Sequence, residues 1–202
     1  MRSISLFILI ACSACRPVVL EETARATTSR DETEVSARNA DTLLTEQLSL
    51  ERETGLMLLS GLAFSGAAID HHETGQVAAY TEYVAGKKHG LHQRWFADGQ
   101  ASFEGYYYSG RRHGPSASWW SNGCPRTQSH FEHGDVHGEQ LAWYQNGALF
   151  QRLNLVHGQE QGLQQAWRKN GKLYSNYEAR DGRIYGLKRA SLCYQLENEI
   201  IN

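Results

Sequence analysis

From residue 90 to residue 186 the apolar and glycine positions of this chain repeat every 24 residues, with no residue gained or lost. Trp95, Trp119, Trp143 and Trp167 keep that step, as do Gly90, Gly114, Gly138, Gly162 and Gly186. A fixed period of this length marks a repeat architecture, in which one supersecondary unit stacks on the next. In residues 90–113 the unit reads as two aromatic-rich runs, Leu91 to Ala97 and Gln100 to Tyr108, separated by Asp98-Gly99. Asn122-Gly123, Asn146-Gly147 and Asn170-Gly171 take the same place later. Such a dipeptide between two strand-like runs predicts a tight hairpin turn, because Gly and Asn or Asp tolerate positive φ. The second glycine pair, as in Ser109-Gly110-Arg111-Arg112-His113-Gly114, predicts a looser reversal. Each unit is thus expected to be strand, tight turn, strand, looser turn. Glycine recurs too often within any helix-length window for a helix.

Aromatic pairs mark the first strand of the units: Trp95-Phe96, Trp119-Trp120 and Trp143-Tyr144, with Trp167-Arg168 losing the second ring. Neighbouring residues of a strand point to opposite faces, so both faces carry rings. The second strand supplies one column of Ala101, Pro125, Leu149 and Leu173, and another of Tyr107, Phe131, Leu155 and Ala179. A two-residue loop would pair position 96 with 101, and a three-residue loop with a bulge would pair 95 with 101. Either way the aromatic–aliphatic cross-strand pair stabilises each unit by roughly 0.2–1 kcal/mol.

The four full units are 90–113, 114–137, 138–161 and 162–185. Residues 66–89 form a degenerate first unit, with His71 in the Trp column and Thr74-Gly75 at the turn, and 186–197 a closing half-repeat. Gly55 to Gly66 opens the repeat domain (55–202) with an apolar strand and a turn. Residues 16–54 are rich in Glu, Thr, Arg and Ser and nearly free of aromatics, which predicts a disordered tether, partly helical over 39–52. Residues 1–15 read as an export segment: Arg2 is followed by the apolar run Ile4–Ala11, far too short to span a bilayer. Leu9-Ile10-Ala11-Cys12 resembles the bacterial lipobox, which implies a lipid on Cys12. Cys15 offers a poorer second frame, and an ordinary cleaved signal is the alternative.

Unit after unit, as in Gly138-x4-Trp143-Tyr144-x-Asn146-Gly147-x-Leu149 and onward to Gly158-x3-Gly162, the sequence resembles the MORN-repeat variant family, often described as YwqK-like antitoxins. The resemblance covers roughly residues 55–197. It implies an all-β fold, an elongated single-layer antiparallel sheet of consecutive 24-residue β-hairpin repeats, and an interaction role rather than chemistry. Net charge is −2 for 202 residues, with 21% charged, so no electrostatic footprint for nucleic acid is expected.

Candidate chemistry adds little to this picture. No G-x-S-x-G, Walker loop or H-E-x-x-H occurs, and Glu104, Glu132, Asp135, Glu139 and Glu160 fall in different columns. No catalytic residue and no cofactor are expected, so the chain is not read as an enzyme. His89, His113 and His137 share one column, His133 and His157 another. Column mates two strands apart lie about 10 Å from each other, too far to share a metal at about 2 Å per bond, so no metal site is expected. Cys124 and Cys193 lie about five strand spacings apart in a flat sheet, which disfavours an internal disulfide. The sharpest signal is the excess of rings. Tyr106, Tyr107 and Tyr108, with Trp119 and Trp120 and further on Trp143 and Tyr144, predict a partner-binding surface. The expected function is a lipid-anchored, non-catalytic interaction module of the cell envelope that binds a protein or a cell-wall glycan. Its membrane contact is through the lipid alone. The alternative is an antitoxin-like inhibitor of a toxin in the cytoplasm.

Overall fold

The two turns of each unit set its shape, and their order of tightness is the reverse of that expected. At the Asp-Gly position the Phe96 N–H donates to the Gln100 carbonyl (2.8 Å) and the Gly99 N–H to the Phe96 carbonyl (2.9 Å), and both bonds recur at Trp120, Tyr144 and Arg168. This is a three-residue loop ending in a left-handed glycine, so Trp95 pairs with Ala101 across a bulge. The Asp98 carboxylate and the side-chain oxygens of Asn122, Asn146 and Asn170 each accept the N–H two residues on. At the other turn Tyr108 pairs directly with Arg111. That leaves two residues, Ser109 at φ 48° and Gly110 at φ 84°, in a type I′ turn. Ala85, His133, His157 and Asp181 take the same left-handed position in their own units. A non-glycine residue there costs about 1–2 kcal/mol, but the turn's twist matches the strands it joins. Asn-Gly, the usual marker of this geometry, sits at the opposite end of each hairpin.

The computed structural model describes residues 42–187; residues 1–41, with the expected export segment and most of the expected tether, and residues 188–202, with most of the expected closing half-repeat, lie outside the described residues. In chain order come β1 (Leu43–Leu44), a 3-10 turn (Thr45–Gln47), β2 (Ser49–Glu51), β3 (Leu56–Leu59), β4 (Leu62–Ala63) and β5 (Gly66–His71). β6 (Val77–Val84), β7 (Lys87–Trp95), β8 (Ala101–Tyr108), β9 (Arg111–Trp119), β10 (Pro125–Glu132), β11 (Asp135–Val136) and β12 (Gly138–Trp143) follow. The last are β13 (Leu149–Val156), β14 (Gln159–Glu160), β15 (Gly162–Trp167), β16 (Leu173–Arg180) and β17 (Arg183–Leu187). From β5 to β17 neighbours in sequence are antiparallel neighbours in one long open sheet, not closed into a barrel, with β11 and β14 as short continuations of β12 and β15. The protein is all-β, a ribbon of hairpins.

Trp119 pairs with Pro125, Trp143 with Leu149 and Trp167 with Leu173, so the Trp column meets the aliphatic column throughout. The second column sits opposite the bulge glycines: Gly66 pairs with Tyr83, Gly90 with Tyr107, Gly114 with Phe131, Gly138 with Leu155 and Gly162 with Ala179. Tyr83, Phe131, Leu155 and Ala179 are buried in the space a glycine leaves empty. At Gly90 a Cβ would lie 2.0 Å from the Glu82 carboxylate, which accepts the Leu91 N–H at 2.7 Å.

Two features differ from a uniform single layer. Residues 42–54, the described part of the expected tether, hold two short strands and a 3-10 turn rather than an α-helix. β1 pairs parallel with β5, and β2, β3 and β4 form a small second sheet. Phe64, Ala68 and Tyr83 are buried beneath Leu43, Leu48, Met57 and Leu59, which makes this end of the ribbon two layers thick. Leu43, Leu48, Met57 and Leu59 over Phe64 and Tyr83 cap the first unit, because a solenoid end exposes an apolar face that something must cover. Cys124 provides the other correction. It is 2% exposed and disulfide-bonded, with its partner outside the described residues. Counting strand spacings along a flat sheet therefore did not bound which cysteine it meets.

Candidate binding surface

The repeat brings the polar tip of the residue after each Trp against the next unit. The Trp120 indole N–H donates to the Trp143 carbonyl (3.1 Å), and the Tyr144 hydroxyl donates to the Trp167 carbonyl (3.0 Å). His72 Nε2 meets the Trp95 carbonyl at 3.1 Å in the degenerate unit. Phe96, in the same position, has no polar atom to offer. The Arg126 guanidinium lies 4.7 Å from the Trp120 ring and the Lys169 ammonium 5.8 Å from that of Tyr144. Trp120 and Tyr144 are thus staples between units, half-buried like Trp119 and Trp143. Of the rings singled out in the sequence, these four hold the ribbon together.

Tyr106, Tyr107 and Tyr108 divide between the faces. Tyr107 lies under the Lys88 ammonium (5.3 Å) and against His92 (5.8 Å). Tyr106 and Tyr108 point the other way and remain 40% and 61% exposed. Burial and the Glu104 and Glu82 carboxylates raise the Tyr106 phenol above its ordinary value, so it stays a neutral donor. On that same face Tyr106 pairs with Leu91, and Leu91 borders an open trough of about 720 Å³. Ile69, Val77, Tyr80, Leu91 and Trp95 line the trough, with Gln76 and Gln93 as its amides. The Gln93 amide donates to Glu104 at 2.8 Å, and the Tyr80 hydroxyl to Glu82 at 3.0 Å, which with burial pushes the Tyr80 phenol up to about 12. Sequence reasoning missed this trough. Its walls come from three hairpin strands and the degenerate first turn, and no spacing along the chain reports the curvature that joins them.

The opposite face carries His92, whose ring lies 5.6 Å from Phe103 and whose Nδ1 lies 2.8 Å from Thr81 Oγ1. Burial first, and then the Lys88, Arg94 and Arg112 charges, push its imidazole down to about 4. In the unfolded chain it titrates near 6.5. Between those values the unfolded state binds a proton that the folded state refuses, so stability is full above about pH 6.5 and falls as pH drops toward 4. Denaturant unfolding across that window should show a slope steeper by about one proton in the natural chain than in His92→Asn. Equal slopes would show that His92 is not held neutral.

The described carboxylates are engaged by cations, hydroxyls and backbone N–H groups. Glu139 lies 3.5 Å from Arg152, Glu178 bonds Arg180 at 2.7 Å, and Glu160 accepts the Tyr177 hydroxyl at 2.8 Å. Asp135 lies in the short β11, paired through its backbone with Glu132. Among the described residues these acids do not converge on one another. The histidines do. The two columns interleave along one edge of the sheet. The His113 ring lies 6.0 Å from His133, and the His137 ring 5.0 Å from His157. The spacing that excluded a shared metal compared histidines within a column only, whereas ring contact runs between columns. The chain matches no protein-family model and no curated protein sequence.

Proposed function

We propose that this protein is a non-catalytic interaction module of MORN-variant type, held at the cell envelope by a lipid on Cys12, that binds a protein or cell-wall glycan through one face of its hairpin sheet. The observation that carries the reading is the open trough walled by Tyr80, Leu91 and Trp95, with the half-exposed Tyr106 paired to Leu91 beside it and the exposed Tyr108 two residues further along the same strand. A shallow, aromatic-walled groove with a few amides suits stacking on sugar rings or on an extended peptide, since rings present large rigid area at low entropic cost. The binding residues are Tyr106 and Tyr108 with the trough, while Trp120 and Tyr144 serve the fold.

Pull-down from envelope extracts with the full-length chain tests this directly. Tyr106→Ala/Tyr108→Ala should lose about tenfold or more of partner retention, as expected when exposed aromatic anchors are truncated. Its thermal unfolding should change less than that of Trp120→Ala, because Tyr106 and Tyr108 keep 40% and 61% of their surface exposed. Full retention by this variant would move binding off the face. Membrane fractionation of Cys12→Ala separates the anchored reading from the antitoxin-like one: release from the membrane supports the anchor. A natural chain found soluble in the cytoplasm favours the inhibitor.

A further inference from the structure

The edge where the histidine columns interleave holds three metal-ligand groups in one place. Glu132 ends β10, His137 occupies the kink between β11 and β12, and His157 is the first residue of the type I′ turn before β14. One ligand atom from each lies within 4.8 Å of the other two. His137 Nδ1 is 3.6 Å from Glu132 Oε2, too long for a hydrogen bond. That nitrogen is buried and has no hydrogen-bond partner. The His137 main chain is held by its N–H bond to the His130 carbonyl at 2.8 Å, and its ring packs edge-on against His157 with centroids 5.0 Å apart.

We propose that Glu132, His137 and His157 bind a divalent first-row transition cation, Zn²⁺ foremost. In a tetrahedron with bonds of about 2.0–2.2 Å, ligand atoms lie roughly 3.3 Å apart. The Glu132–His137 separation is already close to that edge, and His157, the exposed member, closes the rest by side-chain rotation. Two imidazoles and a carboxylate suit zinc, copper or nickel, and disfavour magnesium and calcium, which prefer all-oxygen shells. The edge is open to solvent, so the fourth position takes water. The cation would clasp the turn at 157–158 to the preceding hairpin.

The repeat itself supplies the comparison. One unit earlier the same three places hold Tyr108, His113 and His133, with ring separations of 6.2 and 6.0 Å, and one unit later Val156, Gln161 and Asp181. The hairpin frame brings these positions together in successive units. Ligand chemistry is complete only in this one.

Zn²⁺ titration of the chelator-treated full-length chain by calorimetry, with Co²⁺ absorption as a second readout, tests the site. One Zn²⁺ per chain is expected, and Co²⁺ should give a tetrahedral spectrum without thiolate charge-transfer bands. His157→Asn should weaken binding by about tenfold or more. Asparagine favours the left-handed turn position, so its unfolding midpoint measured in chelator should hold or rise. His137→Ala should do the same to binding, whereas His113→Ala, in the incomplete unit, should leave it unchanged. Cys12→Ser/Cys15→Ser should also leave it unchanged. Zinc that follows the cysteines, or that survives both His157→Asn and His137→Ala, is bound elsewhere and overturns the assignment.

Discussion

Replacing Gln164 by leucine is expected to destabilise the last hairpins by about 2–3 kcal/mol, because it orphans a buried backbone N–H that the glutamine amide now satisfies. Gln164 is 0% exposed. β13 and β15 pair only at Gln151–Ala166 and Arg152–Gln165, and beyond that the bulge pulls the backbones apart. The Gln164 side chain fills the gap as if it were a peptide group. Its oxygen accepts the Asn154 N–H at 3.0 Å and its nitrogen donates to the Asn154 carbonyl at 2.7 Å. The Asn154 carbonyl keeps a second donor in the Gln161 N–H at 2.9 Å, so the N–H is the group left without a partner. Gln164→Glu separates shape from hydrogen bonding. Its carboxylate would accept from Asn154 but face the Asn154, Gln161 and Gly162 carbonyls, so its loss should exceed that of leucine at neutral pH and shrink as the acid is protonated. Denaturant unfolding reads the sum. Amide exchange should show β15 to β17 opening before β6 to β9, since a repeat array loses stability unit by unit. Leucine within about 0.5 kcal/mol of the natural residue would refute the account.

Trp120→Ala is expected to cost about 3 kcal/mol, the low end for truncating a large ring, since Trp120 is half-buried. The substitution removes the bond to the Trp143 carbonyl, the Arg126 stacking and the contact between units together. Trp120→Phe isolates the indole N–H and should cost only about 1 kcal/mol. Phe96 occupies the same position one unit earlier without that bond, so the fold tolerates its absence once. Chemical unfolding of both variants checks the ratio. Binding lost by a Trp119→Ala/Trp120→Ala chain would therefore report a broken ribbon as readily as a missing contact, which is why Tyr106 and Tyr108 make the cleaner test of recognition.

The all-β class and the hairpin unit were legible in the residues alone, whereas the three-residue loop that sets each Trp opposite an aliphatic residue was one of two registers they allowed. Class and unit follow from local chemistry repeated at a fixed step: glycines where φ must be positive, Asn or Asp where a side-chain oxygen closes a turn, and rings that fill the pleat. A 24-residue period leaves a β-hairpin few other ways to stack. The sequence also located the candidate residues, but not their roles, because exposure depends on which face a bulge turns each side chain toward. Trp120 and Tyr144 read as surface rings and are staples, since their carbonyl partners lie 23 residues away on the next unit.

Only the tertiary structure decided what is set by the path of the sheet through space. The small capping sheet, the buried amide of Gln164, the trough under Tyr80 and Trp95, and the meeting of His137 with His157 each join residues that no single strand or turn contains. Gly90, Gly114, Gly138 and Gly162 all take positive φ, and the strand pairing shifts register beside the first two. A one-residue shift moves a side chain to the other face, so column arithmetic was silent about contacts between columns. Local propensity writes the repeat; contacts between units, which no one unit encodes, build the surface.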